Sequence, residues 1–321
     1  MRSAGISGLG YYVPKKVITN TDIVAMGIET SNEWIIERTG IEKRHIASES
    51  ETTSLMGVEA AKMAIANAGL NSQEIDLVIV ATTSPDYPGF PSTACLIQHE
   101  LNMGSAGAFD LAAACSGFVY ALSMASAYVQ SGQYQHVLVV ASDRLSHYVD
   151  WSDRSICILF GDGAGAAVVS PVKEGYGIVS SELRADGGQG DILKMQVNKE
   201  VNQPCIHMDG RSVFKLAVKH IVPSIQSVLA KAQLKTDDLD WFVPHQANLR
   251  IMDFAREKLG IPENKMLQNV QHYGNTSAAS IPIALAQASQ KKQLKNGDIL
   301  ALIGFGAGFT WASSIIKWSM K

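Results

Sequence analysis

The sequence predicts an α/β fold: an internally duplicated sandwich with layers of helix, sheet, helix, sheet and helix. Three observations carry this expectation. Short apolar runs alternate with helix-spaced stretches, the pattern of β–α units on a parallel or mixed sheet. The second half of the chain repeats the order of the first. Each half also holds one long stretch without a charged residue.

Taken in order, the chain starts strand-like at Gly5, Ile6 and Gly8, and residues 55–68 read as a helix. Residues 77–81 (LVIVA) and 137–141 (VLVVA) read as buried strands, as do 164–169 and 299–303. The repeat sets NAGLNSQEIDLVIVATT (67–83) against KAQLKTDDLDWFVPHQA (231–247), so that Leu70 matches Leu234 and Asp76 matches Asp240. CSGFVYAL (115–122) follows in one half and TSAASIPIAL (276–285) in the other. HVLVV (136–140) and DILAL (298–302) come next. The Gly-rich turns FGDGAGAAVV (160–169) and GFGAGFTWAS (304–313) then close the halves. Generic βα patterning would match element types, not their order and spacing. The predicted units are 1–171 and 172–321.

Residues 111–142 and 266–290 contain no Asp, Glu, Lys or Arg. A helix uncharged on all sides is expected to be buried on all sides. Two such helices at equivalent positions form the predicted central layer, with both N-termini near the middle of the molecule.

Composition bounds the function. With 46% hydrophobic and 18% charged residues in 321, the chain reads as soluble and globular, with ample core. A net charge of −3 gives no global basic field for nucleic acid or anionic membrane. There is no stretch of about 20 purely apolar residues and no signal-like leader, so a cytoplasmic protein without a membrane span is expected. Cys95, Cys115, Cys157 and Cys205 include no CxxC pair, which points to reduced thiols and away from zinc. GISGLG (5–10) and GDGAG (161–165) do not fit a dinucleotide loop; the strand-like AAVVS that follows GDGAG marks the glycines of that segment as turns.

Three residues carry the candidate chemistry. Cys115 lies between the strand-like FDLAAA and a helix whose Phe118, Leu122, Ala125 and Val129 fall at helical spacing. A thiol there meets unpaired N–H groups and the positive end of a helix dipole, so a lowered pKa is expected. His245 follows the strand DWFVP, at the carboxyl end, where α/β sheets hold their sites. Asn275 precedes the second uncharged helix. Each alone has an ordinary structural reading: a buried thiol, a turn histidine, an N-cap. Their convergence at the start of both central helices is what points to catalysis. The loop GFGAGF (304–309) offers backbone N–H groups for an oxyanion.

These segments resemble one family. DLAAACSGFVYAL, VPHQANLRI, HYGNTSAAS, GFGAGFTWAS and NEWIIERTGIEKRHIA are similar to the motifs of 3-oxoacyl-[acyl-carrier-protein] synthase III, over essentially the whole chain. The resemblance implies the thiolase fold, a homodimer, and a decarboxylating Claisen condensation of an acyl-CoA, acetyl-CoA first among them, with malonyl-acyl-carrier protein. It implies a Cys115–His245–Asn275 triad, with Cys115 carrying the acyl group. The oxyanion donors would be the backbone N–H groups of Cys115 and Ala307. Trp34 and Arg154 would stack about the adenine, with Arg38 and Thr39 near the nucleotide. Gly210 and Asn248 would line the pantetheine tunnel, Phe305 would shape the pocket, and Phe90 would reach the partner subunit's acyl pocket. Carrier-protein docking would use Lys215, Arg250, Arg256 and Lys258, with Glu257 interrupting the patch. No cofactor is implied; the coenzyme A thioester is a substrate.

A degradative thiolase would need a second cysteine in the C-terminal Gly-rich loop, and residues 304–308 read GFGAG. A condensing enzyme of secondary metabolism with another acyl donor stays open at this point. So does a non-catalytic acyl-CoA-binding homologue, against which the intact triad weighs.

Overall fold

The computed structural model describes residues 2–198 and 203–320. Its strands, in chain order, are β1 (Ser3–Tyr12), β2 (Lys16–Thr19), β3 (Lys43–Ile46), β4 (Leu77–Ala81), β5 (Gly107–Leu111), β6 (Val137–Asp143), β7 (Gly163–Val172), β8 (Gly177–Ala185), β9 (Leu193–Asn198), β10 (Gln203–Met208), β11 (Trp241–Pro244), β12 (Ile299–Gly306) and β13 (Thr310–Lys317). The helices are α1 (Asn20–Ala25), α2 (Asn32–Thr39), α3 (Thr53–Asn67), α4 (Thr93–Glu100), α5 (Gly117–Ser131), α6 (Arg154–Cys157), α7 (Gly210–Lys231), α8 (Leu249–Leu259), α9 (Val270–Tyr273) and α10 (Ser280–Gln290).

Two sheets carry the architecture. The first has the order β1-β7-β6-β4-β5 and the second β8-β13-β12-β11, reading from matching edges. A parallel bridge from Phe242 to Met266 extends the second sheet where β5 extends the first. Strand for strand, the second sheet therefore repeats the first. In both, the central strands are parallel and the edge toward β1 or β8 is antiparallel. β4, every residue of which is buried, is the unbroken apolar run expected of a strand covered on both faces.

Helix α3 covers the outer face of the first sheet, and α7 that of the second. α5 and α10 lie between the sheets and touch both, giving the five expected layers. Phe118, Leu122, Ala125 and Val129 of α5 and Ile281, Leu285 and Ala286 of α10 share one core cluster with strands from both sheets. Although α7 is long and apolar enough by length and composition to cross a membrane, its Ala217, Ile221, Ile225 and Val228 pack into the core of the second sheet.

Two expectations are corrected. Gly163 and Gly165 form no turn: they lie within β7, while Gly5, Gly8 and Gly10 lie within β1, as the strand-like start at Gly5, Ile6 and Gly8 predicts. A Cβ on Gly8 or Gly10 would come within 2.2 Å of Ala64 O or 2.1 Å of Ala60 O, so these glycines let α3 lie flat on the sheet. Nor is α5 buried on every side. Ala127 is exposed, and Tyr120, Met124 and Tyr128 are half-buried. α5 packs beneath β4, β6 and β7, and α10 beneath β1 and β7, which among the described residues leaves the flank of α5 toward edge strand β5 without a closely packed helix.

Candidate active site

The site forms where strands end and the central helices begin. Cys115 follows β5 in a tight 3-10 turn (Ala114–Ser116) that leads into α5. The equivalent turn, Ser277–Ala279, leads into α10. Ala114 and Ser277 open the two turns with left-handed backbones, φ 45° and 54°. The position matching Cys115 is therefore Ala278. Asn275 stands just ahead of that turn and is fixed by backbone bonds to the Leu159–Gly161 segment, Asn275 N to Leu159 O (2.9 Å) and Gly161 N to Asn275 O (3.0 Å). Fully buried Arg44 braces the same segment, donating to Ile158 O (2.7 Å). His245 follows β11 directly, with its N–H on Ile303 O (2.8 Å).

The polar atoms around the triad are already committed. Asn275 Oδ1 accepts from Ser277 N (2.9 Å), which leaves its NH₂ as the free donor. His245 Nδ1 lies 2.7 Å from Ser280 Oγ, which also accepts from Gln246 N (3.2 Å). Nε2 is the remaining ring nitrogen. Phe305 meets the imidazole edge-on, with ring centroids 5.2 Å apart. Burial pushes His245 from 6.5 down to about 3, so the ring is neutral at working pH.

Cys115 departs from expectation. Its pKa is not lowered: burial pushes the thiol up to about 12. A hydrogen bond from Cys115 Sγ to Ser277 Oγ (3.5 Å) acts the other way, and the negative field of Asp143 adds to the rise. At Cys115 desolvation outweighs the helix end. Gly306 of β12 lies directly against Cys115: a Cβ there would come within 2.7 Å of Cys115 N.

Two cavities meet at Cys115. The larger, about 740 Å³, is lined by Cys115, His245, Asn275, Phe305, Trp34, Arg38, Thr39, Gly210, Asn248 and Arg250. The smaller, about 150 Å³, is lined by Cys115, Thr83, Ala114, Leu145, Phe160, Leu193, Ile206, Ser277 and Ala307. A tunnel on one side of a thiol and an apolar pocket on the other suit a long thioester and the short acyl group taken from it.

Most sequence-predicted residues gather on the tunnel. At its mouth, the guanidinium of Arg154 lies 4.9 Å from the Trp34 ring centroid and that of Arg38 lies 5.7 Å away. Such cationic groups beside an aromatic face make a slot for a planar ring. Asn248 caps α8 and donates to Arg38 O (3.0 Å), joining the two walls. Ala307 faces the apolar pocket rather than the tunnel. Phe90 lies away from both, 88% exposed in the loop between β4 and α4. Lys215, Arg250 and Lys258 are exposed, but Arg256 is not free. Its guanidinium contacts Asp253 (3.4 Å), Glu257 (3.2 Å) and Ile261 O (3.2 Å).

Sequence reasoning passed over Ser277, Ser280, Arg211 and Asp143. Ser277 and Ser280 stand inside the NTSAAS motif itself. Asp143 was also visible, as the first charge after the long uncharged run. Among the described residues, no group of three or more His, Cys, Asp or Glu side chains could hold a metal ion.

A duplicated five-layer sandwich with thiol, imidazole and carboxamide lining one tunnel defines a condensing enzyme of the thiolase fold. The comparisons agree. A family model described as 3-oxoacyl-[acyl-carrier-protein (ACP)] synthase III matches residues 109–187, and its C-terminal companion matches 229–318. The chain is 48% identical over 316 residues to beta-ketoacyl-[acyl-carrier-protein] synthase III 1 of Bacillus cereus, covering 98% of this chain and 99% of that one. Among solved structures, 3-oxoacyl-[acyl-carrier-protein] synthase III from Aquifex aeolicus superposes with a TM-score of 0.93 at 44% identity, over 98% of this chain and 100% of that one. The priming beta-ketosynthase of the R1128 polyketide pathway gives 0.94 at 40% identity, over 99% and 97%. This chain belongs to the 3-oxoacyl-[acyl-carrier-protein] synthase III family.

Proposed function

We propose that the chain catalyses a decarboxylating Claisen condensation of an acyl-CoA with malonyl-acyl-carrier protein, giving the 3-oxoacyl-carrier protein, coenzyme A and CO₂, the first condensation of fatty-acid synthesis. One observation carries this reading: Cys115 stands where a long tunnel and a small apolar pocket meet, with the free donors of His245 and Asn275 on the tunnel side.

In the first half-reaction Cys115 Sγ attacks the thioester carbonyl and coenzyme A leaves with the proton. The acyl chain then occupies the apolar pocket. Backbone N–H groups of Cys115 and Ala307 hold the tetrahedral oxyanion. In the second, the malonyl thioester enters the emptied tunnel. Asn275 NH₂ and His245 Nε2–H donate to its carbonyl oxygen, where negative charge gathers as CO₂ departs. Ser280 supports that tautomer: with the Gln246 N–H on one lone pair, its hydroxyl hydrogen is available to Nδ1. Donors already in place stabilise the transition state more than the ground state. The carbanion attacks the acyl-Cys115 carbonyl and releases the thiolate. Each half supplies one part, 1–171 the nucleophile and 172–321 the donors.

Trp34, Arg154, Arg38 and Thr39 receive the nucleotide, and Gly210 and Asn248 flank the pantetheine arm. Lys215, Arg250 and Lys258 form the docking patch for the acidic carrier protein, with Arg211 at the rim in the place left by Arg256. The enzyme acts in the cytoplasm as a homodimer. β5 supports this: among the described residues it pairs on one side only, with β4, and the half-exposed Phe109 and Leu111 lie on it beside the uncharged flank of α5. An unpaired apolar edge is covered most simply by its twofold copy. Phe90 then reaches the partner.

Incubation with radioactive acetyl-CoA tests the reading. Label is expected on the Cys115 peptide of the native protein and on none of Cys115→Ser. Label elsewhere, or none on the native protein, would overturn it.

A further inference from the structure

We infer that Arg44 is a positioning residue for the decarboxylation step: its guanidinium, buried without an acidic partner, fixes the segment to which Asn275 is bonded and so sets where the Asn275 carboxamide meets the malonyl thioester. The inference rests on the reading of Asn275 as a donor to that thioester.

Arg44 lies on β3 and is fully buried. Its guanidinium joins two parts of the molecule. Nη1 donates to Asn20 Oδ1 (2.9 Å) and Ile18 O (3.3 Å), where β2 gives way to α1. Nη2 donates to Ile158 O (2.7 Å). From Ile158 the chain runs beside Asn275. Asn275 N donates to Leu159 O, Gly161 N donates to Asn275 O, and Phe160 and Asn275 form a parallel bridge. The far end of the same segment is also tied to β3, through Asp162 N on His45 O (2.8 Å). Just ahead of β3, Glu42 N donates to Gln271 O (2.9 Å) of α9, which leads into Gly274 and Asn275. The Arg44 stem packs against both sides of this bridge: a Cβ on Gly161 would come within 3.1 Å of Arg44 Cβ, and one on Gly274 within 3.3 Å.

An apolar side chain could fill this space without burying a charge. A lone buried cation costs stability, and Arg44 has no ion pair among the described residues. Burial lowers its pKa only to about 10, so it remains a cation at neutral pH. What the guanidinium adds is a rigid fork, one planar group that holds the β2–α1 junction and the Ile158 carbonyl at a fixed separation. A lysine ammonium is a single point on a flexible stem and does not hold both. Asn275 needs such support. Its Oδ1 is tied to Ser277 N, so its NH₂ is aimed by the backbone on either side of it. A donor to a developing oxyanion tolerates little displacement: a shift on the order of 1 Å costs about a hundredfold in rate. The Cys115 turn follows β5 and makes none of these hydrogen bonds. Arg44 therefore acts on the second half-reaction, through Asn275, and not on the first.

The test measures acyl transfer from saturating acetyl-CoA and CO₂ release from malonyl-carrier protein in Arg44→Lys and Arg44→Gln, each alone and combined with Asn275→Ala. Either single variant is expected to keep transfer within about twofold of native and to lose about tenfold or more in CO₂ release. In the Asn275→Ala background the same substitutions should cost nothing further, because the group that Arg44 places is gone. A residue that only supports the fold would slow both steps, and in either background. Equal loss of both steps, native CO₂ release in a folded variant, or a further loss on top of Asn275→Ala would overturn the assignment. Thermal melting reports folding. If Arg44→Gln does not fold, Arg44→Lys decides, and if neither folds, Arg44 serves the fold alone and the assignment is overturned. Should Asn275→Ala by itself release CO₂ at the native rate, the reading of Asn275 as donor falls, and the role of Arg44 with it; loss in Asn275→Ala with none in the Arg44 variants overturns the role of Arg44 only.

Discussion

His245 ties stability to pH. Burial holds its pKa at about 3, below the ordinary 6.5, so the unfolded chain takes up the proton first. The stability that depends on a neutral ring is complete above the unfolded value and is lost as pH falls from there toward 3. By about pH 5 this amounts to about 2 kcal/mol. Urea unfolding at about pH 8 and about pH 5 should show a smaller acid loss in His245→Gln than in the native protein; equal losses would contradict the assignment. At the tunnel mouth, Trp34→Ala should raise KM for the CoA thioester about tenfold with kcat little changed, since stacking of this kind contributes roughly 1 kcal/mol or more. A fall in kcat alone would place Trp34 elsewhere in the mechanism. At this scale the meeting of Cys115, His245 and Asn275 on one tunnel was legible, because each sits at a recognisable strand end or helix start. The thiol's raised pKa was not, since desolvation depends on how tightly β12 and the neighbouring turn close over it.

At the scale of elements, the site depends on close approach. β12 runs against the Cys115 turn because Gly306 has no side chain. Gly306→Val should displace that turn, cost about 1–3 kcal/mol and abolish acyl transfer; a variant with native activity would show that the contact yields freely. The central helices can be weighed separately. Phe118 on α5 is fully buried between the sheets, and Phe118→Ala should cost about 3–5 kcal/mol in denaturant unfolding. The main strands and both central helices were readable from apolar runs and from the uncharged stretches. Gly163 and Gly165 of β7 were misread as turns because what they make room for is a helix from elsewhere in the sequence, α10, which no local pattern reveals. The β9–β10 hairpin, which adds Leu193 and Ile206 to the apolar pocket, also escaped notice. LKMQVN and QPCIHM mix polar and apolar residues as a hairpin outside the two main sheets would, and such a strand announces itself weakly.

At the scale of the whole molecule, duplication explains why the site is central: two copies of one sheet-and-helix unit bring two helix starts together, one with a thiol before it and one with a carboxamide. That much could be read from the order of matching segments. The exposed flank of α5 could not, because an uncharged surface looks the same whether a sheet or a second subunit covers it. Light scattering should therefore find twice the 34.5 kDa of one chain, and a charge placed on the β5 edge (Phe109→Lys) should release monomers; a native protein that runs as a monomer would remove the dimer from the account. The division of labour between the halves is tested most directly by following two quantities in His245→Ala and Asn275→Ala: acyl transfer from acetyl-CoA to Cys115, and CO₂ release from malonyl-carrier protein. Transfer should stay near the native rate while CO₂ release falls roughly a hundredfold or more. An equal loss of both steps would contradict it.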